Sequence, residues 1–177
     1  SFLSGVPYTI AAWPVLPNGM PDTVSRNDSA IVTRQASLSG TFTVGGTTPD
    51  YMTIGDAVAD LNAYGVCGPV VFNVRAGTYN EQVTIGRVTG ASPVNTITFQ
   101  SESGNANDVQ WEYAPSSSSS NWVLNINGVE HATFRNMTLS AIGTSSYGRI
   151  INVAGSESLT LENLTLNGRN INSSSYN

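Results

Sequence analysis

Lysine is absent from this 177-residue chain, and histidine and cysteine occur once each, as His131 and Cys67. The seven cations are therefore all arginines, set against twelve carboxylates for a net charge of −5. No basic tract exists for a phosphate backbone to grip, so nucleic acid is not an expected partner. Charged residues make up 11% of the chain, under half of the usual quarter. Ser, Thr, Asn and Gly supply the polarity instead, as in secreted β-proteins with flat, hydroxyl-rich surfaces. A single cysteine excludes an intrachain disulfide. Its setting, GVCGPVVF, predicts a buried small hydrophobe rather than a reactive thiol. One His and one Cys leave no zinc set, and Asp is not clustered as a calcium site would want. Neither metal nor cofactor is expected. No apolar run reaches the ~18 residues of a membrane span, so no membrane insertion is expected. The chain opens on Ser1 and stops at Asn177 inside a polar run, and both ends read as cuts in a longer polypeptide.

What is present is mostly strand and turn. In residues 1–36, VPYTIAAW alternates, PNGMPD is a turn and SAIVTR returns as a strand. This hairpin is too small for a core of its own. It reads as the end of a preceding immunoglobulin-like module or as an N-terminal arm, with residues 37–177 forming the main domain. LSGTFTVGG (38–46) is a further strand. TIGDAVADLNAYG then breaks the β pattern: Ile54, Ala57, Val58 and Leu61 share one helical face. Thr53 with Asp56 forms a near capping box, and Gly65 fits the stop. The spacing predicts one helix over about 53–65.

After the helix, apolar pairs recur. Val70/Phe72, Ile97/Phe99, Leu124/Ile126 and Ile151/Val153 follow one another at steps of 27 residues. LNINGVEHATFRNMTL (124–139) overlays INVAGSESLTLENLTL (151–166) without a gap, matching Asn125 to Asn152, Phe134 to Leu161 and Asn136 to Asn163. Val83/Ile85 and Val109/Trp111 fit less well and drift by a residue. A unit of this length cannot bury its apolar face alone, but stacked units can. At ~3.3 Å per strand residue, 27 residues make one circuit of three short sides. The predicted class is all-β, a parallel β-helix of ~27-residue coils, with the helix covering its open first coil.

At this point the residues carry a likeness. GTFTVGG, DYMTIGDAVADLNAYGVCGPVVFNVRAGTYNEQVTI and NTITFQSESG together resemble the start of right-handed parallel β-helix domains of the pectin methylesterase-like (pectin lyase-like) class. They are closer still to the version found in very large surface proteins exported by type IX secretion. The likeness covers residues 38–103, and later coils share only an N-x-T-x strand motif. Trp13 with the PNG, PD and ND turns is similar to the end of adhesion-type β-sandwich modules. The resemblance implies a secreted, bacterial cell-surface location. In pectin methylesterases the turn matching Gly77, Tyr79 and Glu81 shapes the first coil, and the catalytic aspartates, arginine and glutamines lie several coils later. In PDTV and NDSA it implies O-glycosylation of Thr23 and Ser29.

No catalytic residue is assigned. Asp108 is the only Asp beyond residue 60, and Glu102, Glu112, Glu130, Glu157 and Glu162 are scattered. A two-carboxylate site needs its partners held together. His131 reads as a turn residue between strands. In GTYNEQVTI, Gly77 is expected to let the chain turn, Tyr79 and Glu81 to hold the turn, and Val83 and Ile85 to point inward. Asn136 and Asn163 are expected to stack as an asparagine ladder rather than serve as glycosylation sequons, which they also match, as do Asn27 and Asn172. Trp111, Tyr113, Trp122 and Tyr147 around the PSSSSS loop (115–120) are candidate sugar platforms if they face outward. Otherwise Trp111 is core and Trp122 covers a coil edge. The serine run reads as a flexible loop. The expected function is a non-catalytic structural or adhesive segment, with polysaccharide, surface glycans, further copies or neighbouring modules as partners. The alternatives are a carbohydrate-active enzyme whose site lies outside these residues and a carbohydrate-binding module.

Overall fold

The structure, a computed structural model, describes residues 6–13, 29–144 and 146–169. It divides into two compact units, 1–37 and 38–177. In the first, β1 (Pro7–Ala12) runs antiparallel to β2 (Ala30–Gln35), placing Ile10 opposite Val32 and Tyr8 opposite Arg34. Both strands lie where the sequence reading places them, but neither has an alternating buried face: Ile10 is 46% and Ile31 69% exposed. The PNGMPD turn lies outside the described residues.

The second unit begins with β3 (Leu38–Val44) and α1 (Ile54–Tyr64). Eleven strands follow. β4 (Val66–Val74), β5 (Gly77–Asn80) and β6 (Val83–Ile85) form one coil. β7 (Ile97–Ser101), β8 (Val109–Tyr113) and β9 (Leu124–Asn127) form the next. β10 (Ala132–Arg135), β11 (Thr138–Ala141) and β12 (Ile151–Ala154) form a third, and β13 (Thr160–Glu162) and β14 (Thr165–Asn167) continue into a fourth. Each coil gives one strand to each of three parallel sheets, ordered β13-β10-β7-β4-β3, β14-β11-β8-β5 and β12-β9-β6. This is a parallel β-helix.

Its core follows from the period of two. Val70, Phe72 and Val74 point inward on β4, Ile97 and Phe99 on β7, and Ala132 and Phe134 on β10, all essentially buried. Strand pairing sets equivalent residues on top of one another. Phe42 stacks on Phe72 (centroids 5.8 Å, 26°), Phe72 on Phe99 (4.5 Å, 18°) and Phe99 on Phe134 (5.3 Å, 5°). Each such contact adds about 0.5–1.5 kcal/mol beyond area burial. In the last coils the inward positions Val153, Leu161 and Leu166 are 50%, 44% and 50% exposed, because no described residue stacks on them.

Helix α1 forms where its capping signals place it. Thr53 accepts from the Asp56 amide at 3.0 Å, and the Gly65 amide donates to the Leu61 carbonyl at 3.0 Å. Gly65 has φ +65°, and a Cβ there would lie 2.3 Å from the Thr89 carbonyl oxygen. Ile54, Ala57, Val58 and Leu61 are buried against β3, β4 and β6.

Three expectations are corrected. The 27-residue step holds from Val70 to Ile97 and from Leu124 to Ile151 but not between them. Ile97 pairs with Ala132, and Leu124 pairs with Val83. Stacked Gln100 and Arg135 are 35 residues apart, and Thr84 and Asn125 are 41 apart. Nor do Val83/Ile85 correspond to Val109/Trp111. The former lie under Leu124/Ile126, and Gly77/Tyr79 lie under Val109/Trp111. The bends at 102–108 and 114–123 lengthen this coil, and an alternating strand looks the same on any face. Cys67, expected in the core, is exposed. Val66 and Val70 both point inward, so the period of two puts Cys67 on the outer face, and the register shift between Leu38–Val66 and Gly40–Val70 marks a bulge beside it.

The phenylalanine stack predicts a sharp contrast within one strand. Phe99→Ala should destabilise the domain by about 3–5 kcal/mol, and outward Thr98→Ala should stay within about 0.5 kcal/mol, both read from urea unfolding midpoints.

Candidate functional site

The segment Gly77–Gln82 lies beside an open cleft of about 360 Å³ lined by Gly45, Met52, Thr53, Tyr79 and Glu81 among others. Its polar groups are already committed. Glu81 Oε1 accepts from the Ile54 amide at 3.1 Å and Oε2 from the Gly55 amide at 2.7 Å. The carboxylate thus takes two of the donors that a helix leaves without intrahelical partners, where the helix dipole favours negative charge. The Glu81 carbonyl accepts from Trp111 Nε1 at 3.0 Å. Tyr79 is buried, and its hydroxyl reaches the carbonyls of Arg75 (2.8 Å) and Val44 (3.2 Å). Burial, and then the Glu81 charge, push that hydroxyl above its ordinary pKa. Gln82 Nε2 donates to the carbonyls of Ser120 (2.8 Å) and Trp122 (2.7 Å). One short segment therefore joins the helix, β3 and the loop after β8.

Gly77 does not have the role expected of it. It carries no positive φ, and an added Cβ would meet only the Tyr79 ring, at 3.7 Å. The glycine that this node requires is Gly45, with φ +74° and Tyr79 Oη 2.1 Å from any Cβ. The sequence offered a signal in the GG pair at 45–46, but not its dependence on a tyrosine 34 residues on.

Other carboxylates also hold the fold. Asp50 Oδ2 accepts from Thr43 N and Oγ1, both at 2.7 Å, and these bonds lower its pKa. Asp60 accepts from Tyr51 Oη at 3.2 Å. Asp108 accepts from Ser103 Oγ (2.6 Å) and Asn105 Nδ2 (3.1 Å), closing the bend after β7. Glu102 pairs with Arg75 at 3.5 Å and Glu130 with Arg87 at 3.3 Å. Among the described residues no three His, Cys, Asp or Glu side chains group as a metal site. His131 sits at the turn before β10 with φ 53°, its carbonyl bonded to the Ile97 amide at 3.0 Å.

The aromatic candidates do not form an outward row. Trp111 is fully buried, held by its inward place on β8 and its bond to Glu81. Tyr113, Trp122 and Tyr147 are half-buried, and Trp122 Nε1 is buried without a hydrogen-bond partner among the described residues. The serine run is not featureless: Ser118–Ser120 form a 3-10 turn capped by Ser117, whose Oγ accepts from the Ser119 amide at 3.2 Å. Thr23, Asn27 and Asn172 lie outside the described residues, and Ser29 is exposed just before β2.

Asn163 Nδ2 donates to Asn136 Oδ1 at 2.7 Å. Both occupy the left-handed region, with φ of 47° and 57°, which asparagine tolerates better than most residues. The pair stands at an open bend, with Asn136 half-buried and Asn163 exposed. Two further ladders were not expected as such, although Asn125 and Asn152 of the second are matched positions of the repeat. On the five-stranded sheet, Gln100 Nε2 donates to Asn73 Oδ1 (2.8 Å) and Arg135 Nε to Gln100 Oε1 (2.8 Å). On the three-stranded sheet, Arg149 Nη1 donates to Asn152 Oδ1 (2.8 Å), Asn152 Nδ2 to Asn125 Oδ1 (2.8 Å), and Asn125 Nδ2 to Thr84 Oγ1 (3.4 Å). The 27-residue spacing of Asn73 from Gln100 was the available signal.

The fold is similar to that of a pectin methylesterase mutant crystallised in complex with a hexasaccharide. The match has a TM-score of 0.50 at 16% identity and covers 71% of this chain and 44% of that one. The chain thus spans less than half the length of that protein, and at this identity the likeness is one of fold. No family model and no curated protein matches the sequence.

Two substitutions test the node. Gly45→Ala should lower the thermal midpoint markedly, and Gly77→Ala should leave it within about 0.5 kcal/mol of the parent. Glu81→Gln sets an amide donor against one helix donor and should cost about 1–3 kcal/mol, read from denaturant unfolding, without altering retention on any polysaccharide.

Proposed function

We propose that this chain is a non-catalytic structural and adhesive segment of a large secreted protein at the bacterial cell surface, meeting polysaccharide through its outward faces. The observation that carries this reading is the employment of Glu81. The acid in the most family-like motif spends both carboxylate oxygens on the capping helix, so the motif builds a coil rather than a reaction centre. Continuous strand ladders in three directions make a stiff body, suited to a stalk. Hydroxyl and amide side chains on the outward faces suit glycan contact, where partners are rich in hydrogen-bonding groups. Exposed Ser29 is a proposed glycosylation position on the same reading.

A second reading, a carbohydrate-active enzyme with its site outside these residues, draws on the fold likeness to a pectin methylesterase. One experiment separates the two. The intact protein is incubated with plant, algal and bacterial polysaccharides, and retention, methanol release and new reducing or unsaturated ends are followed together. Retention without product is the expected result. Product release overturns the structural reading in favour of the enzyme. Absence of both removes polysaccharide from the partners and leaves a scaffold for proteins or further copies.

A further inference from the structure

The ladder on the five-stranded sheet has a direction, and the direction determines what it offers outward. Arg135 has donors and no acceptor. Its Nε and Nη2 both bond Gln100 Oε1, at 2.8 and 2.5 Å. That contact fixes which way the Gln100 amide lies, an assignment that an amide alone leaves open. Gln100 Nε2 must then face the preceding coil, where it donates to Asn73 Oδ1 at 2.8 Å. Each carbonyl oxygen in the row is thereby occupied from within. Among the described residues, the hydrogens left over are those on Asn73 Nδ2, one on Gln100 Nε2, one on Arg135 Nη2 and both on Arg135 Nη1.

All three side chains alternate with the inward Phe72, Phe99 and Phe134 and so stand on the outer face. Strands ~4.8 Å apart space them as a straight row about 10 Å long. Thr43 precedes the row and is locked by Asp50. Thr98, Thr133 and Thr160 form a parallel hydroxyl row beside it. Among the described residues Arg135 makes no ion pair, while Arg75 and Arg87 do. Its register neighbour on the next coil is the exposed Glu162, which bounds the row with opposite charge.

We infer that this row is a docking strip for a polysaccharide bearing oxyanion groups, carboxylate or sulfate ester. The inference rests on the polysaccharide-contact reading above and names its face and ligand chemistry. A strip of donors ending in a guanidinium complements a chain of acceptors carrying negative charge. The ladder holds these side chains in place before binding, which reduces the entropy lost on contact. The chain's net charge of −5 disfavours indiscriminate adsorption of polyanions, so retention has to come from a local site.

Affinity electrophoresis of the chain in gels containing alginate, dextran sulfate or neutral dextran tests this. Retardation is expected in at least one polyanion gel and not in neutral dextran. Whether alginate or dextran sulfate retards it distinguishes carboxylate from sulfate ester. Arg135→Gln keeps a donor to Gln100 and removes the charge. It should weaken that binding about tenfold or more, with an unchanged thermal midpoint as the control for folding. Arg87→Gln makes the same charge change at an ion-paired arginine and should have little effect. Glu162→Gln should strengthen binding. Equal retention by neutral dextran, or equal loss in Arg87→Gln and Arg135→Gln, overturns the strip and leaves general polysaccharide contact standing. No retardation in any of the three gels also overturns the strip. The polysaccharide reading itself falls only if the wider panel is blank.

Discussion

Parallel in-register stacking is the constraint on which the rest of this molecule depends. Once a backbone ladder sets one strand over the next, every inward side chain lands on an inward side chain and every outward one on an outward one. The phenylalanine stack, the polar ladders and the asparagine pair at the bend are three consequences of that condition. None is stable without the others in register, because a slip of one residue would send phenylalanine to solvent and amides into the core.

The helix and its cap solve the problem that stacking creates at one end. A first coil has apolar residues with nothing above them. α1 places Ile54, Ala57, Val58 and Leu61 over that opening, and Glu81 in the first coil returns a carboxylate to the helix N-terminus. Helix and coil thus hold each other by apolar burial and by a charge-assisted pair of hydrogen bonds. At the other end, Val153, Leu161 and Leu166 retain the exposure that α1 removes from the first coil.

Outward, the same register turns scattered polar residues into ordered rows. An isolated surface amide samples several rotamers and either orientation. A row that terminates on arginine has one orientation, because guanidinium accepts no hydrogen bond. The chemistry of the face is therefore a property of the row and not of any residue in it.

Elements whose causes are local are legible in the chain. The Thr53 cap and i, i+3, i+4 stripe specify α1, alternation specifies the strands, and the inward pairs Val70/Phe72 and Ile97/Phe99 specify a stack. Asn125 and Asn152, and Asn136 and Asn163, were visible as matched positions because no long loop separates their coils. Tertiary structure alone decided which strand lies on which once bends of different length intervene, so Leu124 rests on Val83 and not on Ile97. It decided that Val66 is the inward residue at the start of β4, which leaves Cys67 on the outer face of an apolar run. It decided that Gly45, not Gly77, makes room for Tyr79, and that Trp111 is core. Arg135 sets the amide of Gln100 from 35 residues away, and Glu81 caps a helix that ends 17 residues before it. Periodicity and capping act over a few residues and leave a pattern in the chain. Loop length and close approach act between distant segments and leave none.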